Sequence, residues 1–207
     1  MMHAQRSAEA TVLTRILQDK VTLAAWQREA NAPIQAELAN ANAGDTWRDV
    51  RVACKPDAMK DVLHDHWGQA YPSLQADICL VTDMFACLFD ANEVAIRIVR
   101  LTRAICPRFH TDKIPCRLVT TYQGAGTEWL GNESIQRDFL GRGANGKPDR
   151  VSGLIKPNAV IQQLAPFDVA ILKGDAWPGN EGLGLVHRSP ECDENQPRVI
   201  MTLDYAG

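Results

Sequence analysis

A change of period near residue 93 constrains this chain more than any other feature. Before it, apolar residues recur three or four positions apart. After it, no run of helical length survives. The strongest helical stretch is Ser73–Phe89, where Leu74, Ile78, Val81, Phe85 and Leu88 form one broad apolar stripe that needs another layer to cover it. Beyond it come short runs rich in β-branched residues: Val94–Val99, Arg117–Tyr122, Val169–Leu172 and Arg198–Tyr205. Turn signals separate them at Gly124-Ala125-Gly126, Gly141–Gly146, Pro166-Phe167-Asp168, Gly174-Asp175 and Pro178–Gly184. In the last run Arg198, Ile200, Thr202 and Asp204 alternate with Val199, Met201, Leu203 and Tyr205, so the two sets face opposite ways. Short strands without helices between them predict a barrel or sandwich, not a parallel α/β sheet.

The first ninety residues read as helical. Val12, Leu13, Ile16 and Leu17 lie at helical spacing, whereas Val21–Trp26 is too short to assign. Asn31 followed by Pro33 predicts a capped helix start, and Asn42–Asp45 a stop. Pro56 opens a helix carrying Met59, Val62, Leu63 and Trp67 on one side. The expected organisation is a helical region over 1–92 packed on a β core over 93–207, in one compact unit.

A length of 207 residues suits a single domain of this kind. The net charge of -3, with no Lys/Arg cluster, gives no support to nucleic-acid or membrane-surface binding. No run approaches the roughly 20 apolar residues that span a bilayer. The N-terminus is broken by Arg6, Glu9 and Arg15 and lacks a signal-peptide core. A cytoplasmic protein is therefore expected, its six scattered cysteines reduced. Oligomeric state is not legible.

The chemistry-bearing residues cluster late in the chain. His3 is terminal, and His64 and His66, two apart on a helix, point in different directions. His110 and Asp112 differ: on an extended segment, residues two apart share a face and can reach one cation. His187, in the motif LVHRSP, is the only other histidine in this half. Two imidazoles and one carboxylate leave half of an octahedral ion open, as in non-haem Fe(II) sites. The competing interpretation is a buried His110–Asp112 pair with His187 capping a loop. Cys106, His110, Cys116 and Cys192 offer a thiolate-rich zinc site instead, although no CxxC knuckle is present. A cysteine nucleophile at Cys106 or Cys116 lacks any recognisable oxyanion hole.

Cys106–Leu130, Leu172–Asn180, Val186–Pro190 and Arg198–Asp204 resemble the bacterial family called domain of unknown function 1826. The label carries no activity. The same layout is more distantly similar to the 2-oxoglutarate-dependent Fe(II) oxygenases, in which an H-x-D precedes an apolar strand and a distal histidine follows much later. That resemblance implies an α+β fold, N-terminal helices packed on a C-terminal double-stranded β-helix (jelly-roll, cupin-like). It implies a metal site of His110, Asp112 and His187, and a carboxylate clamp for 2-oxoglutarate at Arg198, eleven positions after His187, with Thr202 on the same strand face. The Ser or Thr often found two positions after that arginine is here Ile200.

Arg117 is a second candidate clamp, since a planar guanidinium suits a carboxylate. Arg188 would brace the His187 loop, and Tyr122, Trp129 and Trp177 are candidate pocket residues. The function expected is a metal-dependent enzyme of oxygenase type, using Fe(II), a 2-oxo acid and O2 on an unknown small molecule. The alternative is a non-enzymatic zinc-binding protein of the same fold serving metal homeostasis. A fourth protein ligand, such as Cys106 or Asp175, would favour the alternative.

Overall fold

The computed structural model describes residues 3–43 and 47–205. Ten strands and three α-helices are built around one large sheet. In chain order the elements are β1 (His3–Ser7), β2 (Val21–Trp26), α1 (Ala32–Ala43), β3 (Val50–Cys54), α2 (Met59–Trp67), α3 (Pro72–Phe89), β4 (Val94–Leu101), β5 (Cys116–Gln123), β6 (Glu128–Leu130), β7 (Gln162–Gln163), β8 (Val169–Lys173), β9 (Val186–Arg188) and β10 (Arg198–Tyr205). The major sheet runs β1-β2-β8-β5-β10-β4-β3, and a minor sheet runs β7-β6-β9. All pairings are antiparallel except β1 with β2.

The pleat divides the major sheet into two faces. Ile96, Ile98, Leu118, Tyr122, Ile171 and Met201 point to one side, where they share a core with Leu74, Ile78, Val81 and Phe85 of α3. Leu23, Ala25, Val119, Ala170 and Leu172 point to the other, toward Trp129 and Leu185 of the minor-sheet region. The molecule is thus three layers: helices, major sheet, minor sheet. Each fully buried large apolar side chain contributes roughly 1.5–3 kcal/mol, so α3 is held by its stripe rather than by intrinsic propensity.

The helix starts follow from local chemistry. Asn31 accepts a hydrogen bond from the Ile34 N–H at 3.2 Å through its side-chain oxygen, the cap expected from the Asn-x-Pro signal. The first turn of α3 is capped by Glu37 of α1, whose carboxylate accepts from the Ser73 and Leu74 N–H groups at 2.8 and 3.0 Å. The expected stop at 42–45 extends outside the described residues.

A helical region over 1–92 is not what forms. β1, β2 and β3 all lie in it, and all three join the major sheet, which therefore crosses the expected boundary. β2 is buried along almost its whole length and so shows no alternation, while β1 is a polar edge strand. Val12, Leu13 and Ile16 do sit on a helix, but a 3-10 one. His3 begins β1. By length and composition alone α3 could cross a membrane, contrary to the sequence-based expectation; its apolar stripe instead lies against the major sheet.

Candidate metal centre

His110 and His187 face each other as an antiparallel bridge. Each main-chain N–H donates to the other's carbonyl at 3.0 Å. Directly opposed residues project to the same side, so the imidazoles stand together, ring centres 4.6 Å apart. On the other edge of β9, His187 pairs with Trp129, giving the row Trp129–His187–His110 across the inner face. The flanking Phe109, Val186 and Leu130 point outward into a separate cluster with Ile135 and Leu154. The alternation that buries Phe109 and Val186 is what turns both histidines inward.

Asp112 completes the set. Its carboxylate oxygens lie 3.9 Å from His110 Nε2 and 3.6 Å from His187 Nε2, and one ligand atom from each residue falls within 4.8 Å of the other two. Both Nδ1 atoms are committed to backbone carbonyls, His110 to Arg108 at 2.9 Å and His187 to Leu185 at 3.1 Å. A carbonyl can only accept, so the neutral ring carries its proton on Nδ1 and leaves the Nε2 lone pair facing Asp112. This is how metal-binding histidines are oriented by their outer partners. Burial pulls the His187 pKa down to about 4, against the opposing attraction of Asp112, so this imidazole is neutral at pH 7. The donor chemistry fits a divalent ion.

Residues 110–113 do not form a continuous strand; only His110 is bridged. Asp112 is placed by its neighbours instead. The Asp112 carbonyl accepts from the Asp175 N–H at 2.8 Å. Asp175 accepts from the Thr111 hydroxyl at 2.7 Å, from the Lys113 ammonium and from the Gly184 N–H at 2.9 Å. Those three bonds and Lys113's charge hold the Asp175 carboxyl below its ordinary pKa despite its desolvation. Gly174 lets the chain come this close: a Cβ there would stand 2.0 Å from the Ile114 carbonyl oxygen. In the sequence Asp175 offers itself only as a fourth ligand. The Gly-Asp pair after β8 was a readable signal for a tight approach, but its partners were not.

Arg117 is not a free clamp. Its Nε and Nη2 each donate to the Asp204 carboxylate at 2.7 Å, and Nη1 contacts both oxygens of Asp112 at 3.1 and 3.2 Å. It steadies the triad's carboxylate.

Arg198 is 1% exposed and has no carboxylate partner among the described residues. Nε donates to the Ala125 carbonyl at 2.7 Å, Nη1 to Ser189 at 3.0 Å, and Nη2 to Thr121 at 3.1 Å and Thr127 at 2.9 Å. Burial lowers its pKa to about 10, which leaves it charged at neutral pH. Thr121 and Thr127 supply neutral oxygens around it, a role invisible in sequence because it depends on three separate strands and turns. Thr202 lies on the same inner face and, like Arg198, His110 and His187, lines one cavity between the layers.

The aromatic assignments fare differently. Tyr122 lies on the helix side of the major sheet, its hydroxyl donating to Asp77 at 2.8 Å, so the pleat turns it away from the cavity. Trp177 packs on Phe89 and under the Lys173 ammonium, and Trp129 fills the space between the sheets. None of the three lines the triad cavity. Arg188 braces the loop as expected, bonding Glu128 and lying 4.4 Å from the Phe109 ring centre. The thiolate-rich site does not assemble. Cys116 faces the helix-side core, where burial raises its pKa to about 12, and the only potential metal cluster among the described residues is His110, Asp112 and His187.

The model of one family, described as "Protein of unknown function (DUF1826)", matches residues 7–204. The chain belongs to the DUF1826 family. A search of curated proteins found no significant match. Among solved structures, the DUF1826 chain is similar to the dioxygenase for auxin oxidation from rice, with 15% identity and a TM-score of 0.52, over 100% of this chain and 83% of that one. It is similar also to dioxygenase for auxin oxidation 1 from Arabidopsis thaliana, in binary complex with 2-oxoglutarate, with 11% identity and a TM-score of 0.53, over 100% and 93% of the two chains. At such identities the likeness is one of fold. It supports the expected mixture of helices and sheets.

Proposed function

We propose that this DUF1826 protein is a non-haem oxygenase built on a double-stranded β-helix, with Fe(II) held by His110, Asp112 and His187 and 2-oxoglutarate as co-substrate. The observation that carries this reading is the pairing of a three-ligand set with a buried guanidinium that has no carboxylate partner among the described residues, with His110, His187 and Arg198 lining one cavity. The fold shared with a 2-oxoglutarate-bound dioxygenase supports it.

Iron at this site would supply the redox chemistry that couples O2 reduction to decarboxylation of the 2-oxo acid. The chain's own residues do the rest. His110 and His187 present their Nε2 atoms, oriented through their Nδ1 hydrogen bonds, and Asp112 adds a carboxylate held in place by Arg117. Arg198 pairs with the far carboxylate of the co-substrate, and the Thr202 hydroxyl stands on the same wall to share it. Val119, Leu172 and Ile200 keep the wall between them apolar and limit water near the reacting atoms. A small-molecule substrate and a cytoplasmic setting belong to the same proposal.

The zinc alternative requires a closed site. Asp175 is engaged by Thr111, Lys113 and Gly184, and Cys106 is not part of the cluster, so the open set favours the oxygenase. Anaerobic addition of Fe(II) and 2-oxoglutarate should produce a visible charge-transfer band, and admitting O2 should yield succinate slowly without added substrate. Absence of both signals in fully metallated protein would overturn the proposal. Arg198→Gln should weaken the 2-oxoglutarate dependence of the band while leaving metal content unchanged.

A further inference from the structure

Four arginines line the triad cavity, and three are engaged. Arg117 holds Asp112 and Asp204, Arg188 holds Glu128, and Arg198 spends four of its five N–H groups on Ala125, Ser189, Thr121 and Thr127. Arg97 is the exception. It lies on the inner face of β4, between Thr202 of β10 and Arg51 of β3. Its Nε is closed off from solvent and has no hydrogen-bond partner, and no described carboxylate forms an ion pair with it. A shielded donor on a permanent cation is costly to leave unmet. Its register neighbour Arg51 is also cationic, and Asp49, the one described carboxylate whose charge favours the Arg97 cation, is already paired with Arg51 at 3.5 Å. The wall running from Arg97 toward solvent is apolar: Val99, Leu101 and Ile105, the last 42% exposed at the rim.

From this arrangement we infer that Arg97 is the substrate-recognition residue, and that the substrate is a small organic acid with one carboxylate and an apolar body. The assignment rests on the oxygenase reading of the same cavity. Arg97 takes the carboxylate, while Val99, Leu101 and Ile105 take the apolar part. Arg198, at the start of β10, keeps its charge and one N–H for the co-substrate, so the two acids are held by different guanidinium groups. A charge-assisted pair at a shielded site makes the acid bind tighter than its neutral amide by about tenfold or more.

Calorimetric titration of protein loaded with redox-inert Zn(II), which prevents turnover, and saturated with 2-oxoglutarate tests the assignment. The probes are phenylacetate and its neutral counterpart phenylacetamide. Phenylacetate is expected to saturate one site at least about tenfold more tightly than the amide. Arg97→Gln should erase that preference with 2-oxoglutarate affinity within about twofold of wild type, and Arg97→Lys should restore part of it. Arg198→Gln should do the reverse, weakening 2-oxoglutarate and sparing the phenylacetate preference. Equal binding of the two probes, an undiminished preference in Arg97→Gln, or an Arg97→Gln loss confined to 2-oxoglutarate would overturn the inference. If the loaded protein takes up no 2-oxoglutarate, the oxygenase reading fails. The phenylacetate titration without it then still decides whether Arg97 recognises an acid.

Discussion

His110 and His187 are joined through their backbones before any ion is considered: two reciprocal 3.0 Å hydrogen bonds lock one opposite the other. The site is therefore preorganised by β pairing, and the imidazoles can be removed without removing what aligns them. His110→Ala and His187→Ala should each stay folded and each lose more than about a hundredfold in divalent-metal affinity, since changes to outer partners alone commonly cost 10–100-fold. Elemental analysis after anaerobic loading, with circular dichroism on the same samples, checks both halves of this expectation. Undiminished metal content in the double variant would remove the site.

Asp175 makes the same argument one layer out. Its carboxylate holds Thr111 and Lys113 on either side of Asp112 and ties them to Gly184, three residues before His187. Asp175→Ala should lower metal affinity about 10–100-fold although no ligand is touched. Asp175→Asn keeps an acceptor for Thr111 and should fall between. Titration with Co(II), followed by its visible absorption, separates the two variants from wild type. An unchanged affinity in Asp175→Ala would mean that the Gly174 approach and Arg117 suffice to position Asp112.

Burial on both faces hid β2 but not β8, whose VAIL run stands between clear turn signals, while β3 alternates and still went unread inside a stretch taken as helical. β10 alternates through Val199–Asp204 because its neighbours offer two distinct environments, and its bounds, Arg198–Tyr205, were legible in the sequence. β2, VTLAAW, is covered on both sides, so no period marks it. The triad was readable because His110 and Asp112 stand two apart and His187 has no competitor downstream, although Asp112 is set by its bond to Asp175 and not by strand alternation. Arg97 was not, because an arginine in a β-branched run looks like any exposed strand residue until its partners are known. The same ambiguity misplaced Tyr122: sequence shows that it sits in a strand, but not which face looks on the helices.

The buried His187 gives the metal-free protein a definite response to pH. Its folded pKa is depressed to about 4 by desolvation, while an unfolded histidine titrates near 6.5. Between these values the unfolded chain binds the extra proton. The stabilisation is thus full above pH ~6.5 and is lost as pH falls through about 4, a change of at most about 3 kcal/mol. Urea unfolding of metal-free protein at pH 7, 5 and 4 should show midpoints falling with pH, and His187→Gln should flatten the slope. Parallel slopes for the two proteins would show that His187 is not the group responsible.

On the opposite side of the major sheet, Arg28, Asp77 and Tyr122 form a polar cluster that ties the helical layer to the β core. Arg28 donates to both oxygens of Asp77 at 2.6 and 3.1 Å and to the Phe167 carbonyl at 2.7 Å, and Tyr122 donates to Asp77 at 2.8 Å. The Arg28 and Asp77 side chains are only 11% and 12% exposed. Removing the carboxylate leaves a shielded guanidinium and a buried phenol without an acceptor, the situation that commonly costs about 3–5 kcal/mol. Asp77→Ala is therefore expected to lower the unfolding free energy by several kcal/mol. Asp77→Asn, which retains an oxygen for Tyr122 but no charge, should lie between. Tyr122→Phe removes one donor and leaves the ion pair intact, and should cost about 1 kcal/mol. Denaturant unfolding of the three variants ranks them. A loss in Tyr122→Phe as large as in Asp77→Ala would place the tie in the phenol rather than in the ion pair.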